Sequence, residues 1–241
     1  MKRNFSFRKS LAILGLIAVA GTFAACNKKD TVDTQIPAAG LMVLNLAPDK
    51  DGIGVALSGN VINNTPLAYT SYNGTYSNIY TGTRAIQAFD LRDSVFAESS
   101  FTFENDNYYS LFVTGNNGVY HTVTVKDDVD SNATADKAYV RFINAVPDSS
   151  APTVTITAGG TQVSEGAAAF NTVSPFTPVT PGDVKVAVSN GGNIAAERTL
   201  TLESGKVYTA LIIGVPGATD DLKKVQIRYV QNGVVPTSTE K

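Results

Sequence analysis

The chain has 241 residues with 19 basic and 21 acidic side chains, so its formal net charge is −2. The lack of a basic excess argues against nucleic-acid binding, which needs clustered Lys and Arg side chains to neutralise phosphates. The length suits one large or two small domains. The single cysteine cannot form a disulfide within the chain, so stability must come from burial and backbone pairing.

The first 25 residues have the organisation of a signal peptide. Four basic side chains lie within the first nine positions, the stretch Leu11–Ala20 is almost wholly apolar, and small residues precede Cys26. The segment resembles a bacterial lipoprotein signal, in which a diacylglyceryl group is attached to the sulfur of Cys26, the first residue of the mature protein. Its uncharged run of about 15 residues is too short to span a bilayer as a helix, which takes roughly 20. Without this leader, 15 basic and 21 acidic residues remain, a formal charge of −6.

Residues 26–38 are predicted to be the lipidated cysteine and a flexible tether. Two or more acyl chains hold a protein stably at a bilayer, since each buried methylene contributes about 0.8 kcal/mol. Lys28, Lys29 and Asp30 partly resemble the short signals that direct some Bacteroidota lipoproteins to the cell surface. We therefore predict a protein anchored in the outer membrane by its lipid, with exposure at the cell surface as a further hypothesis.

Two sequence segments recur 99 residues apart. LNLAPD at 44–49 matches INAVPD at 143–148, and SFTFENDNYYSLFVTG at 100–115 matches TLTLESGKVYTALIIG at 199–214. Because the offset is the same at two distant points, the chain after the tether is predicted to contain two copies of one unit of about 100 residues. The predicted domains are residues 39–130 and 138–235, joined by a linker at 131–137 and followed by a tail at 236–241.

Within each copy, apolar and polar residues alternate with a period of two. Val184, Val186 and Val188 alternate with polar or small residues, and Leu200 and Leu202 alternate with threonines. Turn-forming Pro, Gly, Asn and Asp residues separate such runs about every 8 to 12 positions. The pattern predicts an all-β fold with two tandem immunoglobulin-like antiparallel β-sandwich domains. In the second copy it predicts strands near 138–145, 153–158, 162–165, 184–189, 195–202, 206–214 and 223–231.

The opening YVRFINAVPD at 139–148 and the closing LESGKVYTALIIG at 202–214 carry a family resemblance. They are similar to the domain-of-unknown-function 4397 family, secreted β-sandwich modules of bacterial cell envelopes. The first copy is a degenerate version, with GLMV at 40–43 in place of YVRF. The resemblance implies a sandwich fold and an envelope setting, and it implies no reaction and no catalytic residue.

Four tyrosines, Tyr69, Tyr72, Tyr76 and Tyr80, recur at spacings of three, four and four. The Thr, Ser, Asn and Gly residues between them are poor helix formers, so a helical stripe is not expected. Two interpretations remain: an exposed aromatic surface for sugars or a protein partner, and aromatic side chains packed in the core. We favour packing, because the corresponding part of the second copy contains two phenylalanines among prolines.

The only histidine, His121, lies in an alternating run at 119–125, where it shares a face with valines. No Gly-x-Ser-x-Gly elbow or similar arrangement accompanies it, so we predict a strand residue partly buried near a domain edge. Glu104 and Glu203 invite a glycosidase mechanism, which needs two carboxylates a fixed distance apart. They occupy the same position in the two copies, so a shared structural role is the simpler explanation.

The acidic stretch at 127–136 places oxygen-bearing side chains at Asp128, Asp130 and Asn132, a spacing typical of calcium-binding loops. The run lacks the glycine and the glutamate of a helix-loop-helix calcium site, since Ala133 and Tyr139 stand at those positions. A solvated linker is the favoured interpretation, and an improvised interdomain calcium site is the alternative.

Together these observations predict a non-enzymatic, lipid-anchored protein of the outer membrane with a structural, adhesive or binding role. Its expected partners are the membrane, through the lipid, and an extracellular protein or polysaccharide. No cofactor and no nucleic acid are expected. The alternative is a carbohydrate-binding accessory lipoprotein that uses the tyrosines of residues 69–80.

Overall fold

The computed structural model describes residues 36–129 and 132–235. The leader, Cys26, most of the tether, Asp130 and the tail at 236–241 lie outside these residues, and what was predicted for them stays a prediction. The described residues contain strands and no helix, so among them no helix is long and apolar enough to cross a membrane.

The first repeat folds as a sandwich of eight strands. They are β1 (Ala38–Asn45), β2 (Ile53–Leu57), β3 (Asn60–Val61), β4 (Ser77–Tyr80), β5 (Gly82–Asp90), β6 (Val95–Phe103), β7 (Tyr108–Asn116) and β8 (Val119–Lys126). They form two four-stranded sheets, ordered β4-β1-β7-β8 and β3-β2-β5-β6. The alternating apolar side chains of both sheets meet in one buried core.

The second repeat builds the same sandwich with the same connections. Its strands are β9 (Ala138–Asn144), β10 (Thr153–Ala158), β11 (Thr161–Ala167), β12 (Thr177–Val179), β13 (Gly182–Ser189), β14 (Ala195–Leu202), β15 (Lys206–Ile213) and β16 (Gln226–Val234). The sheets are ordered β12-β9-β15-β16 and β11-β10-β13-β14. In each half, the sheet that contains the first strand is called the inner sheet here and its partner the outer sheet.

The prediction of an all-β fold with two tandem sandwich domains is confirmed. Two details differ. The second sandwich has an eighth strand, β12, which contains Pro178 and lies at a sheet edge, where proline is tolerated because no ladder donor is lost. The strands pair antiparallel throughout the described residues except β1 with β7 and β9 with β15, which run parallel.

A buried asparagine closes the same corner in both sandwiches. The side chain of Asn45, at the end of β1, donates to the carbonyl of Leu67 at 2.9 Å and accepts from the N–H of Ala47 at 3.0 Å. Asn144, at the end of β9, makes the equivalent two bonds at 2.8 and 3.1 Å. Because an unpaired buried amide is costly, these bonds explain why the repeat keeps an asparagine among apolar residues.

Two glycines at the ends of β7 and β15 show how closely the repeats agree. Gly115 has a φ of 114° and Gly214 a φ of 112°, a region that side chains disfavour. A Cβ atom would also lie 2.1 Å from the carbonyl oxygen of Val119 at position 115 and 2.3 Å from that of Lys224 at position 214. Glycine is therefore required at both positions by conformation and by space.

The central strands of the inner sheets are buried on both faces. The outer-sheet strands β10, β13 and β14 show the predicted alternation of buried and exposed residues. The central inner strands β1, β7, β9 and β15 are buried along nearly their whole length. The described residues from Pro37 onward accordingly form one compact unit, in which the two sandwiches meet through their inner sheets.

Candidate functional site

The inner sheets pack against each other through an apolar cluster. Leu44 and Phe112 of the first sandwich pack with Ile143 and Leu211 of the second, and all four are fully buried. Each residue has its counterpart 99 positions away, since Leu44 corresponds to Ile143 and Phe112 to Leu211. The contact is therefore built from the same positions in both halves, as in a symmetric dimer.

The four tyrosines of residues 69–80 do not share one surface. Tyr69 and Tyr76 pack against the apolar cluster between the sandwiches, whereas Tyr72 and Tyr80 are 37% and 61% exposed. The segment turns at Thr70, whose φ is 68°, and enters β4 only at Ser77. The four tyrosine rings, although spaced as on one face of a helix, therefore lie in different environments.

A buried polar cluster crosses the contact beside the apolar one. Its centre is the ion pair between Arg141 of β9 and Asp127, just after β8, with 2.5 Å between Nη2 and Oδ1. The two side chains are only 2% and 4% exposed. The other Asp127 oxygen accepts hydrogen bonds from the hydroxyls of Tyr76 and Ser110 and, at 3.3 Å, from the amide of Asn232.

The remaining polar atoms of this cluster are also bonded. Arg141 donates from Nη2 to Ser110 Oγ and from Nε to Thr209 Oγ1, each at 3.0 Å. Thr209 in turn donates to the side-chain oxygen of Asn232 at 2.7 Å. The guanidinium lies 4.3 Å from the ring centre of Phe176. A buried charge with this many partners stabilises one relative position of the sandwiches, because any displacement leaves charged groups without them.

Burial changes the acidity of the two tyrosines at the contact. Burial, and next the negative charge of Asp127, raise the pKa of Tyr76 well above its ordinary value of 10.0. Burial raises the pKa of Tyr69 to about 12, although the Arg228 charge opposes the shift. Both side chains therefore keep their protons at a pH where an exposed tyrosine would lose its proton, and Tyr76 donates its hydroxyl proton to Asp127.

Each sandwich also contacts the turn before the fourth strand of the other. Arg228 of β16 donates to Thr70 Oγ1 at 2.9 Å, and Thr114 of β7 donates to Asn171 Oδ1 at 2.7 Å. Thr70 and Asn171 hold the same place in the two repeats, each with a φ near 70°. The two turns thus correspond, whereas their donors do not, since Thr114 is in β7 and Arg228 is in β16.

His121 also lies at the contact between the two sandwiches, and its side chain is more exposed than predicted. It is on the face of β8 that carries Val123 and Val125, and its ring centre is 5.7 Å from that of Phe170 in the second sandwich. The face predicted from the alternation is correct, but that face meets the other sandwich. Its observed neighbour is aromatic, as expected for a packing residue.

The two glutamates occupy equivalent positions in separate sandwiches. The backbone N–H of Glu104 donates to the hydroxyl of Tyr109, and that of Glu203 donates to the hydroxyl of Tyr208. Their carboxylates are largely exposed and pair with lysines on the surface, Glu203 with Lys206 at 2.8 Å. The structure gives each glutamate the same local role beside a turn.

The acidic stretch after β8 divides between core and surface. Asp127 is buried in the polar cluster, whereas Asp128 and Asn132 are exposed and Asp130 lies outside the described residues. Within residues 36–129 and 132–235, no three His, Cys, Asp or Glu side chains come close enough to hold a metal ion. The interpretation of the whole stretch as a solvated linker is therefore wrong for Asp127.

Arg141 and Asp127 are the residues that sequence reasoning missed. Arg141 interrupts the apolar run AYVRFIN of β9, and every residue of that strand is buried. A single charge inside a continuous apolar run was the available signal, because such a charge needs a buried partner. Its partner could not be identified from sequence, since Asp127 stands among acids typical of loops.

Three comparisons relate the chain to known proteins. The family model described as Domain of unknown function (DUF4397) matches residues 39–151 and 138–232, more than half of the chain. No curated protein sequence matches it. A crystal structure from Bacteroides eggerthii DSM 20697, named a "putative cell adhesion protein", is similar with 11% sequence identity and a TM-score of 0.26, covering 82% of this chain and 96% of that one. Similarity at this level identifies neither a fold nor a function.

Proposed function

The chain belongs to the DUF4397 family, whose domain has no known function, and on that basis we propose an outer-membrane lipoprotein whose two sandwiches act as one rigid binding or adhesive module. The family assignment confirms the resemblance seen in the segments at 139–148 and 202–214. Anchoring, location and binding belong to the proposal.

The observation that carries the proposal is the contact between the inner sheets. Its apolar cluster and the Arg141–Asp127 pair are buried, so the two sandwiches cannot rotate freely about the segment that joins them. A fixed pair of sandwiches exposes outer sheets and loops at constant positions. Such preorganisation lowers the entropy cost of binding a partner over an extended surface.

The leader supports the location. Lipidation at Cys26 would hold the chain at a bilayer, and the sequence offers the charge, apolar core and small residues that this modification requires. Lys28, Lys29 and Asp30 support display at the cell surface.

The described side chains support a role in binding over one in catalysis. His121 packs near Phe170, and Glu104 and Glu203 serve the same turn in separate sandwiches. Of the tyrosines at residues 69–80, two are packed between the sandwiches, so this segment alone offers no continuous aromatic surface.

Cells that produce the wild-type chain and cells that produce Cys26→Ala test the proposal. A fatty-acid analogue should label only the wild-type protein, which should fractionate with the outer membrane. Wild-type cells should attach to surfaces coated with their own extracellular polysaccharide or protein, and the variant cells should attach less. Labelling of the variant would refute the anchor, and equal attachment of both strains would refute the adhesive role.

A further inference from the structure

The outward face of the first inner sheet continues beyond the contact with the second sandwich. Met42 of β1 points into the apolar cluster, so Ala38 and Gly40, at two-residue spacings from it, lie on the same face. Tyr80 of β4 pairs with Ala38, and Tyr108 of β7 pairs with Gly40. These four residues form one patch, called the tyrosine shelf below.

Both rings of the tyrosine shelf are exposed. Tyr80 is 61% and Tyr108 is 55% exposed, large fractions for aromatic side chains on a sheet face. Two strand spacings and an offset of two residues separate their Cα atoms by about 12 Å. Ala38 and Gly40 of β1 lie between these two Cα atoms, and the Tyr108 ring covers Gly40.

Neighbouring residues of the protein contact both rings. Tyr108 lies over Gly40, where a Cβ atom would come within 2.5 Å of the ring, and Tyr76 packs edge-on against it at 4.9 Å between ring centres. Arg84 donates to the carbonyls of Tyr80 and Thr81, and its guanidinium lies 6.0 Å from the Tyr80 ring centre. The packed Tyr108 ring therefore loses little entropy on binding, and the Arg84 hydrogen bonds fix the backbone that carries Tyr80.

The same patch of the second sandwich is closed. Tyr139 and Val207, the counterparts of Gly40 and Tyr108, are buried in a cluster with Val129 and Ala133 of the connecting segment. The hydroxyl of Tyr139 accepts from the Thr134 N–H at 2.6 Å. Among the described residues, nothing covers Tyr80 and Tyr108 in this manner, so the first sandwich differs from its own repeat at this place.

The edge of the shelf carries groups suited to hydroxyls. Asn78 is exposed on β4, and the loop with Asn105 and Asp106 is bonded to the start of β1, where the Ala38 N–H donates to Asn105 Oδ1 at 2.9 Å. The charges nearby are mixed, since Arg84 lies beside Tyr80 and Lys126 pairs with Glu104 at 3.7 Å. No basic cluster among the described residues of this edge would attract an acidic polysaccharide or an anionic lipid.

We propose that Tyr80 and Tyr108 form a binding site for neutral oligosaccharides, with sugar rings stacked on the two aromatic rings. The C–H groups of a pyranose face pack on the electron-rich face of tyrosine, and the sugar hydroxyls bond to the amides and carboxylates of the edge. The separation of about 12 Å between the two Cα atoms suits an oligosaccharide over a single sugar. This site rests on the binding role proposed above and specifies its ligand class.

Binding of cello-, malto-, manno- and chito-oligosaccharides to the chain from residue 27 onward, with oligouronates as the acidic comparison, tests this site. At least one neutral series should bind, and Tyr80→Ala and Tyr108→Ala should each weaken its binding roughly tenfold or more, the loss typical of a central aromatic contact. Tyr80→Phe and Tyr108→Phe should keep most of it, because the stacking face remains. Tyr229→Ala is the matched control, since Tyr229 is also partly exposed beside an arginine but lies in the second sandwich.

The proposed site would be refuted if no neutral oligosaccharide binds or if oligouronates bind more tightly than the neutral series. It would also be refuted if the alanine variants bind normally while keeping the wild-type melting temperature. Finally, it would be refuted if Tyr229→Ala weakens binding as much as Tyr80→Ala and Tyr108→Ala do. If an alanine variant has a lower melting temperature than the wild type, the phenylalanine variant at the same position replaces it in the test. Loss of oligosaccharide binding in that phenylalanine variant would also count against stacking. The attachment assay separates the two proposals. Cells with Tyr80→Ala and Tyr108→Ala together that attach normally refute the shelf and leave the adhesive role intact.

Discussion

Replacing Arg141 by methionine should destabilise the chain far more than replacing an exposed arginine or lysine. Methionine keeps much of the apolar stem that packs near Phe176, so the substitution removes mainly the charge and its hydrogen bonds. Asp127 would then remain as a carboxylate that is 4% exposed and has lost its cation. It would keep donors from Tyr76, Ser110 and Asn232.

The expected magnitude follows from this environment. Removing one partner of a buried ion pair costs about 3–5 kcal/mol, because the remaining charge cannot be solvated. The three donors left to Asp127 compensate it in part, so we expect the lower end, about 3 kcal/mol. Lys185→Met is the matched control, since Lys185 pairs with Glu197 at 3.7 Å with side chains 50% and 71% exposed. Exposed pairs contribute at most about 1 kcal/mol.

Urea unfolding of the chain from residue 27 onward measures both variants, with tyrosine fluorescence as a signal because the sequence has no tryptophan. A double-mutant cycle with Asp127→Asn isolates the pair. The double variant should be more stable than the sum of the single losses predicts, by about 1 kcal/mol or more. If Arg141→Met costs no more than Lys185→Met, or if the cycle shows no coupling, the polar cluster does not stabilise the contact as argued.

Two further predictions concern the same contact. Burial raises the pKa of Tyr69 to about 12 and also raises that of Tyr76, so the stability due to these protons should be complete below the unfolded-state pKa of 10.0 and fall as the pH rises through the folded-state pKa values. Urea midpoints measured at rising pH check this decline. Tyr76→Phe should make the decline less steep, and an unchanged slope would contradict the prediction. Produced as separate chains, residues 27–129 and 132–241 should associate in a 1:1 complex, since Phe112 and Leu211 would otherwise be exposed. Sedimentation should detect this complex, and the complex should be lost in the Phe112→Asp variant. Two wild-type halves that do not associate would argue against the interface.

The alternation of apolar and polar residues and the 99-residue repeat predicted the fold well. The alternation depends only on residues within one strand. The alternation of Val184, Val186 and Val188 reappears as the buried face of β13. The 99-residue repeat reappears in the paired roles of Asn45 and Asn144. Both signals depend on residues close in sequence or on a repeat visible without a structure.

The site was harder to predict because it depends on which sheet faces meet. Near-continuous apolar runs such as LMVL at 41–44 and VYTALII at 207–213 indicate strands buried on both faces, but they do not say what covers the second face. Asp127 lies in a run typical of loops and is buried where it pairs with Arg141 of the other sandwich. The environments of Tyr69 and Tyr76 follow from the same contact.

The parallel pairing of β1 and β7 has a mechanical consequence. The first described strand is bonded to β7 in a parallel register from Gly40 with Tyr108 to Asn45 with Val113, and to β4 on its other side. A tensile force that draws this strand along its own axis strains these backbone bonds together, whereas a force that peels a strand away breaks them one after another. A chain held from its N-terminal side and pulled through its body along β1 would therefore carry the load in shear, at a strand that is hydrogen-bonded on both sides.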